Sequence, residues 1–193
     1  MQHRWFNDEW LWAAVLILIC LCIWLYIRIR RRDFSPEQQI QRILKPYLVA
    51  QSRKVLVPDG IGGLMEIDHL ILLRQGFLIL QSLPLNGHLF GSDQTAQWTQ
   101  LTEGRSYPFT NPLHYLQNMQ QSLTVLVPQI PVYTHIVFTG RCNFPKDKPA
   151  RASLINTLEA DLSSVFSAKP LPEAVLNEAW ETVTESIKLE SVG

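Results

Sequence analysis

The chain has 193 residues, 47% hydrophobic and 18% charged, with 17 Lys/Arg set against 17 Asp/Glu. That balance excludes a chain that is basic overall, the composition that draws nucleic-acid affinity from many phosphate contacts. Cys20, Cys22 and Cys142 are the three cysteines and offer no disulfide framework or zinc-like pair, while the five histidines (His3, His69, His88, His114, His135) are too scattered for a structural zinc site.

Residues 10–27 read WLWAAVLILICLCIWLYI without a charge. As a helix rising about 1.5 Å per residue they reach roughly 27 Å, near the thickness of a bilayer's hydrocarbon layer. Trp5, Trp10 and Trp12 near one end, with Trp24 and Tyr26 near the other, suit the two lipid–water interfaces. A cleaved signal peptide would carry its positive charges before the apolar run and a small-residue cleavage site after it. Here Arg28, Arg30, Arg31 and Arg32 follow the run, and only Arg4 precedes it, against Asp8 and Glu9. The expectation is a single-pass membrane protein, with residues 1–9 outside, a span at 10–27, a basic linker at 28–34 and the rest cytoplasmic. From residue 33 onward there are 12 Lys/Arg and 15 Asp/Glu, about −3 in sum, which disfavours nonspecific nucleic-acid binding without excluding a local basic patch.

Beyond the linker, Ser35-Pro36-Glu37-Gln38 predicts a helix start: a serine cap, proline in the first turn and glutamine completing a capping box. Ile40, Ile43, Leu44 and Tyr47 follow on one face, and Pro46 is expected to kink or end the helix. A short strand is expected at 54–57, closed by the turn Pro58-Asp59-Gly60. Residues 64–73 and 77–82 flank Arg74-Gln75-Gly76 and predict a hairpin. Asn86-Gly87 marks a turn before Leu89-Phe90. A loop containing Trp98 leads to Asn111-Pro112, which starts a helix running to about Val127. A strand at 132–138 and helices at about 152–166 and 172–189 complete the order α-β-β-β-α-β-α-α. This is an α/β (α+β) arrangement, a mixed sheet with flanking helices.

In the strand at 64–73, alternation puts Glu66 and Asp68 on one face, continued by Leu70 and Leu72. A carboxylate in so apolar a strand is costly if buried unpaired. Asp68 therefore either caps a turn or accepts backbone hydrogen bonds, or else it binds a metal at the sheet edge.

Residues 66–91, EIDHLILLRQGFLILQSLPLNGHLFG, followed by Trp98 and by Asn111-Pro112-Leu113 with Gln117-Asn118, resemble the nuclease-related domain, or NERD. The family pattern is an Ile-Asp-His strand, a Gly-Phe strand ending Glu-x-Lys, Gly-x-(Ile/Leu)-(Tyr/Phe)-Gly, a Trp, and Asn-Pro-x-x-Gln-Asn. The resemblance spans about 35–189, with Glu37 matching a Glu of the family's opening helix. It implies a restriction-endonuclease-like fold with a PD-(D/E)xK type of site. In such a site two carboxylates hold Mg²⁺, the metal polarises the phosphodiester, and a lysine orients water and offsets developing charge. Carried over residue by residue, the site positions are Glu37, Asp68, Gln81 and Leu83. The first two keep the family's residues, whereas Gln81 replaces the second carboxylate and Leu83 the lysine. Glu66 is a replacement metal ligand on the expected face, about 7 Å along the strand from Asp68.

The expectation is a membrane-anchored nuclease-related domain with a degraded site. No cofactor is expected, and it would act by binding a protein or nucleic acid at the cytoplasmic membrane face. The rival readings are a divergent, active Mg²⁺-dependent nuclease and a non-catalytic subunit of a membrane complex.

Overall fold

The computed structural model describes residues 5–30, 35–58 and 63–190. They fall into two compact units, one ending at Gln38 and the other beginning at Gln39.

The first unit is dominated by helix α1 (Trp5–Arg30). Its side chains are described for residues 12–24, all apolar and all exposed. Among the described residues no helix is long and apolar enough to cross a membrane. Residues 12–24 rise only about 20 Å, and the other side chains of the expected 10–27 span lie outside the described residues. The linker at 28–34 also lies largely outside them. Helix α2 (Pro36–Leu44) begins as its sequence dictates: Gln38 N–H donates to Ser35 Oγ at 3.3 Å and Ser35 N–H to Gln38 Oε1 at 3.2 Å, the reciprocal bonds of a capping box.

The second unit is a mixed α/β structure with mixed sheets and flanking helices. Its strands are β1 (Leu48–Pro58), β2 (Leu64–Leu73), β3 (Gly76–Leu83), β4 (Gly87–Phe90), β5 (Gln97–Thr102), β6 (Arg105–Thr110), β7 (Val132–Phe138), β8 (Cys142–Asn143) and β9 (Ala152–Leu154). Its further helices are α3 (Pro112–Leu126), α4 (Leu158–Asp161), α5 (Ser163–Phe166) and α6 (Glu173–Glu190). A five-stranded sheet runs β1-β2-β3-β7-β9, and a four-stranded one runs β6-β5-β4-β8. In the larger sheet β1, β2 and β3 are antiparallel neighbours, and β7 joins β3 and β9 in parallel.

Alternation along β3 builds a core on each side of this sheet. Phe77 and Ile79 enter a cluster with α3, α6 and the smaller sheet, while Leu78 and Leu80 enter a second cluster with α2 and α4. Each such fully buried side chain contributes about 1.5–3 kcal/mol.

Three expectations need correction. The strand expected at 54–57 is the end of an eleven-residue strand, because pairing with β2 rather than local hydrophobicity orders 48–53. The loop around Trp98 is the hairpin β5–β6, so the domain has two sheets rather than one. The helix expected at 152–166 begins as β9 and continues as two four-residue helices.

The family-pattern residues outside the strand pair fasten these layers. Trp98 is fully buried, donates Nε1–H to Ser92 O at 3.0 Å and packs against Phe109, Phe138 and Phe144. A Cβ on Gly91 would overlap the Trp98 ring, so the close approach requires glycine there. Asn111, also fully buried, caps α3 by accepting from Leu113 N–H at 2.9 Å, while its amide donates to Thr95 O at 2.7 Å and Ser92 O at 3.3 Å.

Candidate functional site

Asp68 stands where the sheet forks. The ladder between β2 and β3 runs from Leu73 opposite Gly76 to His69 opposite Leu80. Beyond it, β2 continues with β1 as its partner as far as Leu64 opposite Pro58, and β3 continues alongside β7 to Leu83 opposite Phe138. Side chains replace the ladder at the point of divergence. Ser82 N–H donates to Asp68 Oδ2 at 2.8 Å, and Asp68 N–H reaches Gln81 Oε1 at 3.5 Å. This is the backbone-accepting role of the two roles open to Asp68 from its sequence.

The fork coincides with a change of phase in both β1 and β2. Met65 and Ile67 belong to the same core cluster as Leu70 and Leu72, so the inward-facing positions switch from odd to even across Asp68. In β1 Val55 and Val57 enter that cluster, and Ala50 packs against it. Between them Lys54 takes φ +49, a left-handed conformation that non-glycine residues rarely adopt. The pairing shifts register once, between Leu48 and Ala50, but it is kept from Arg53 opposite His69 to Val55 opposite Ile67, so Lys54 and Asp68 interrupt the ladder without shifting it. The expectation that Leu70 and Leu72 continue the face of Glu66 and Asp68 therefore fails. Simple alternation cannot see a beat skipped in two strands at once.

Glu66 is exposed, and its backbone is clasped by a residue the sequence reading missed. Tyr115 Oη accepts from Glu66 N–H at 3.1 Å and donates to Glu66 O at 3.3 Å. Burial raises the Tyr115 phenol above its ordinary range, with the nearby Glu66 and Asp68 charges adding to the rise against the Glu66 hydrogen bond. One turn after the Asn111 cap, Tyr115 is the α3 residue that reaches the fork; like the pattern residues Gln117 and Asn118 it is exposed.

His69, buried beside Asp68, has Nε2 3.3 Å from Ser82 Oγ. Burial and then the Arg53 charge hold its imidazole below the ordinary value, with Asp68 pulling the other way. Gln81 and Leu83 lie two apart on β3 and so share a face as expected, and Leu83 packs against the first core cluster. Glu37 occupies the first turn of α2, half-buried.

These donors do not fit a hard divalent cation. One Asp68 oxygen is occupied by a backbone N–H, Gln81 contributes an amide without charge, and Leu83 contributes nothing. Among the described residues no three His, Cys, Asp or Glu side chains, Glu37 and Glu66 included, are grouped to hold a metal.

An Ile-Asp-His strand forking from a Gly-Phe strand, with Trp98 and the Asn111-capped helix locking the adjacent layer, defines an α/β domain of nuclease-related pattern. The family model for the nuclease-related domain, NERD, matches residues 32–139, more than half of the chain, and the chain belongs to that family. It is similar to an uncharacterized protein of Bacillus anthracis, 25% identical over 116 residues that make up 57% of this chain and 54% of that protein. The chain thus spans about half the length of that relative. No solved structure matches it significantly.

Proposed function

We propose that this chain is a membrane-anchored NERD protein whose nuclease site is degraded. It keeps a restriction-endonuclease-like scaffold and works by binding, with a protein or nucleic-acid partner met at the cytoplasmic face of the membrane. The observation that carries the reading is on β3, where Gln81 and Leu83 hold the positions of the family's carboxylate and lysine. Leucine can neither orient a water nor offset charge, and loss of one comparable electrostatic donor costs about 10²–10³-fold in rate. The weakly acidic balance after residue 33 favours a protein partner over nucleic acid.

The anchor is supported by the helical, wholly apolar and exposed stretch at 12–24 within the uncharged run 10–27, and its orientation by the four arginines that follow. A reporter active only outside the cytoplasm, fused after Gly193, should be silent, and strong activity would reverse the orientation.

The test of the degraded site uses the purified full chain in detergent with Mg²⁺ or Mn²⁺ and labelled DNA or RNA. No cleavage above background is expected. Metal-dependent cleavage that disappears in Asp68→Ala would establish an active nuclease instead. Restoring the pattern with Gln81→Glu and Leu83→Lys should produce metal binding that the unmodified chain lacks.

A further inference from the structure

At the β9 edge of the larger sheet, β9 pairs only with residues 136–138 of β7, which leaves the earlier part of β7 uncovered. A pocket of about 240 Å³ opens there, with Thr134 and His135 of β7, Arg151 before β9 and Ser164 in its polar wall, and Leu78 and Leu162 in its apolar wall. Arg151 and Ser164 lie beyond residue 139, where the family match ends.

The acid in the wall is engaged through one of its oxygens. Asp161 Oδ2 accepts from Lys148 Nζ at 2.7 Å, Ser153 Oγ at 2.6 Å and Thr157 Oγ1 at 2.8 Å. Because Ser153 gives its proton to the carboxylate, its oxygen accepts from His135 Nε2–H, also at 2.6 Å. That fixes the neutral imidazole with Nδ1 as a lone-pair acceptor.

Arg151, across the same pocket, is held in no ion pair among the described residues. Among the described residues its guanidinium makes one hydrogen bond, to Thr134 Oγ1 at the 3.5 Å limit, and pairs with no carboxylate. Its backbone is held in place, since Arg151 O accepts from Ile136 N–H at 2.9 Å. A half-buried guanidinium with several unused N–H donors in a partly enclosed cavity matches the planar, bidentate recognition of a carboxylate or phosphate.

We propose that this pocket binds a small organic anion, its carboxylate or phosphate on the Arg151 guanidinium and its carbon body against Leu78 and Leu162. The volume corresponds to about eight waters at ~30 Å³ each and falls just below the ~300–1,000 Å³ of drug-sized sites. That sets the ligand at the size of an amino acid. This site stands independently of the fork at Asp68.

The test is thermal unfolding and calorimetric titration of the full chain in detergent. One arm uses small mono- and dicarboxylates including L-glutamate, and the other uses orthophosphate and glycerol phosphate. Sodium chloride at matched ionic strength is the control. A saturable rise in Tm beyond that control, in one arm or both, is expected and identifies the anionic group. Arg151→Gln should abolish it, and Arg105→Gln on the exposed β6 should not. Arg151→Lys keeps the charge without the fork and should weaken binding about tenfold. No saturable response in either arm, or affinity unchanged in both Arg151 variants, would overturn the proposal.

Discussion

Asp68 and Asp161 are both half-buried aspartates on the sheet side of this domain, and they are used in opposite ways. Asp68, at the position the family pattern marks for metal binding, gives one oxygen to a backbone N–H and completes the fork between β2 and β3. Asp161, outside the segment the family model matches, gathers an ammonium and two hydroxyls on a single oxygen. Burial pushes the Asp161 carboxyl up, but the hydrogen bonds from Lys148, Ser153 and Thr157, with the Lys148 charge, outweigh it and hold the group below its ordinary value. One carboxylate thus serves the backbone of a sheet, while the other gathers side-chain donors around itself.

The contrast predicts unequal costs. Asp161→Ala leaves Lys148 half-buried without its counter-ion and Ser153 without its acceptor, and should destabilise the full chain by about 3 kcal/mol or more in urea unfolding. A cost below that of Asp68→Ala would break the comparison.

His135 sharpens it. Burial lowers its pKa from 6.5 to about 4, with Asp161 opposing and Lys148 and Arg151 reinforcing the fall. Between these values the unfolded chain binds the proton that the folded chain refuses, so stability rises with pH. The contribution is complete above about pH 6.5 and is lost on acidification towards pH 4, by up to about 3 kcal/mol. Unfolding at pH 6.5 and pH 4.5 should show this slope, and His135→Gln should flatten it.

The smallest effect belongs to the fork. Asp68→Ala should cost about 1–2 kcal/mol, the desolvation of an unsatisfied Ser82 N–H. Asp68→Asn keeps an acceptor oxygen and should sit near zero on the same measurement. A large loss in Asp68→Asn would mean that charge, not geometry, is what the fork needs.

What the sequence disclosed was local. The capping box of Ser35 and Gln38, the turn before Gly76 and the Asn111 cap depend on residues a few positions apart, and each was legible. The first half of β1 has no hydrophobic alternation of its own and exists through its pairing with β2. The β5–β6 hairpin was hidden because β6 is largely exposed, β5 fully buries only Trp98, and Pro108 interrupts the strand pattern. At the fork, the order of the residues placed Asp68, Gln81 and Leu83 on adjacent strands, but Tyr115 reaches Glu66 across 49 residues and left no signal in the strand itself. The Arg151 pocket depends on how far β9 extends, a tertiary fact that composition does not carry.

The interrupted step at Lys54 and Asp68 gives the β1–β2 pair something like a reading frame. Each strand skips one beat at the same rung, so the distal residues stay in step with the proximal ones only because the two omissions cancel. Removing a single residue from either strand near that rung would exchange inside and outside for the far half of its arm, turning Glu66 inward and Ile67 outward, or Leu56 inward and Val57 outward. Only a paired change restores the phase. Length changes in the β1–β2 pair therefore keep the core intact only two at a time, one per strand.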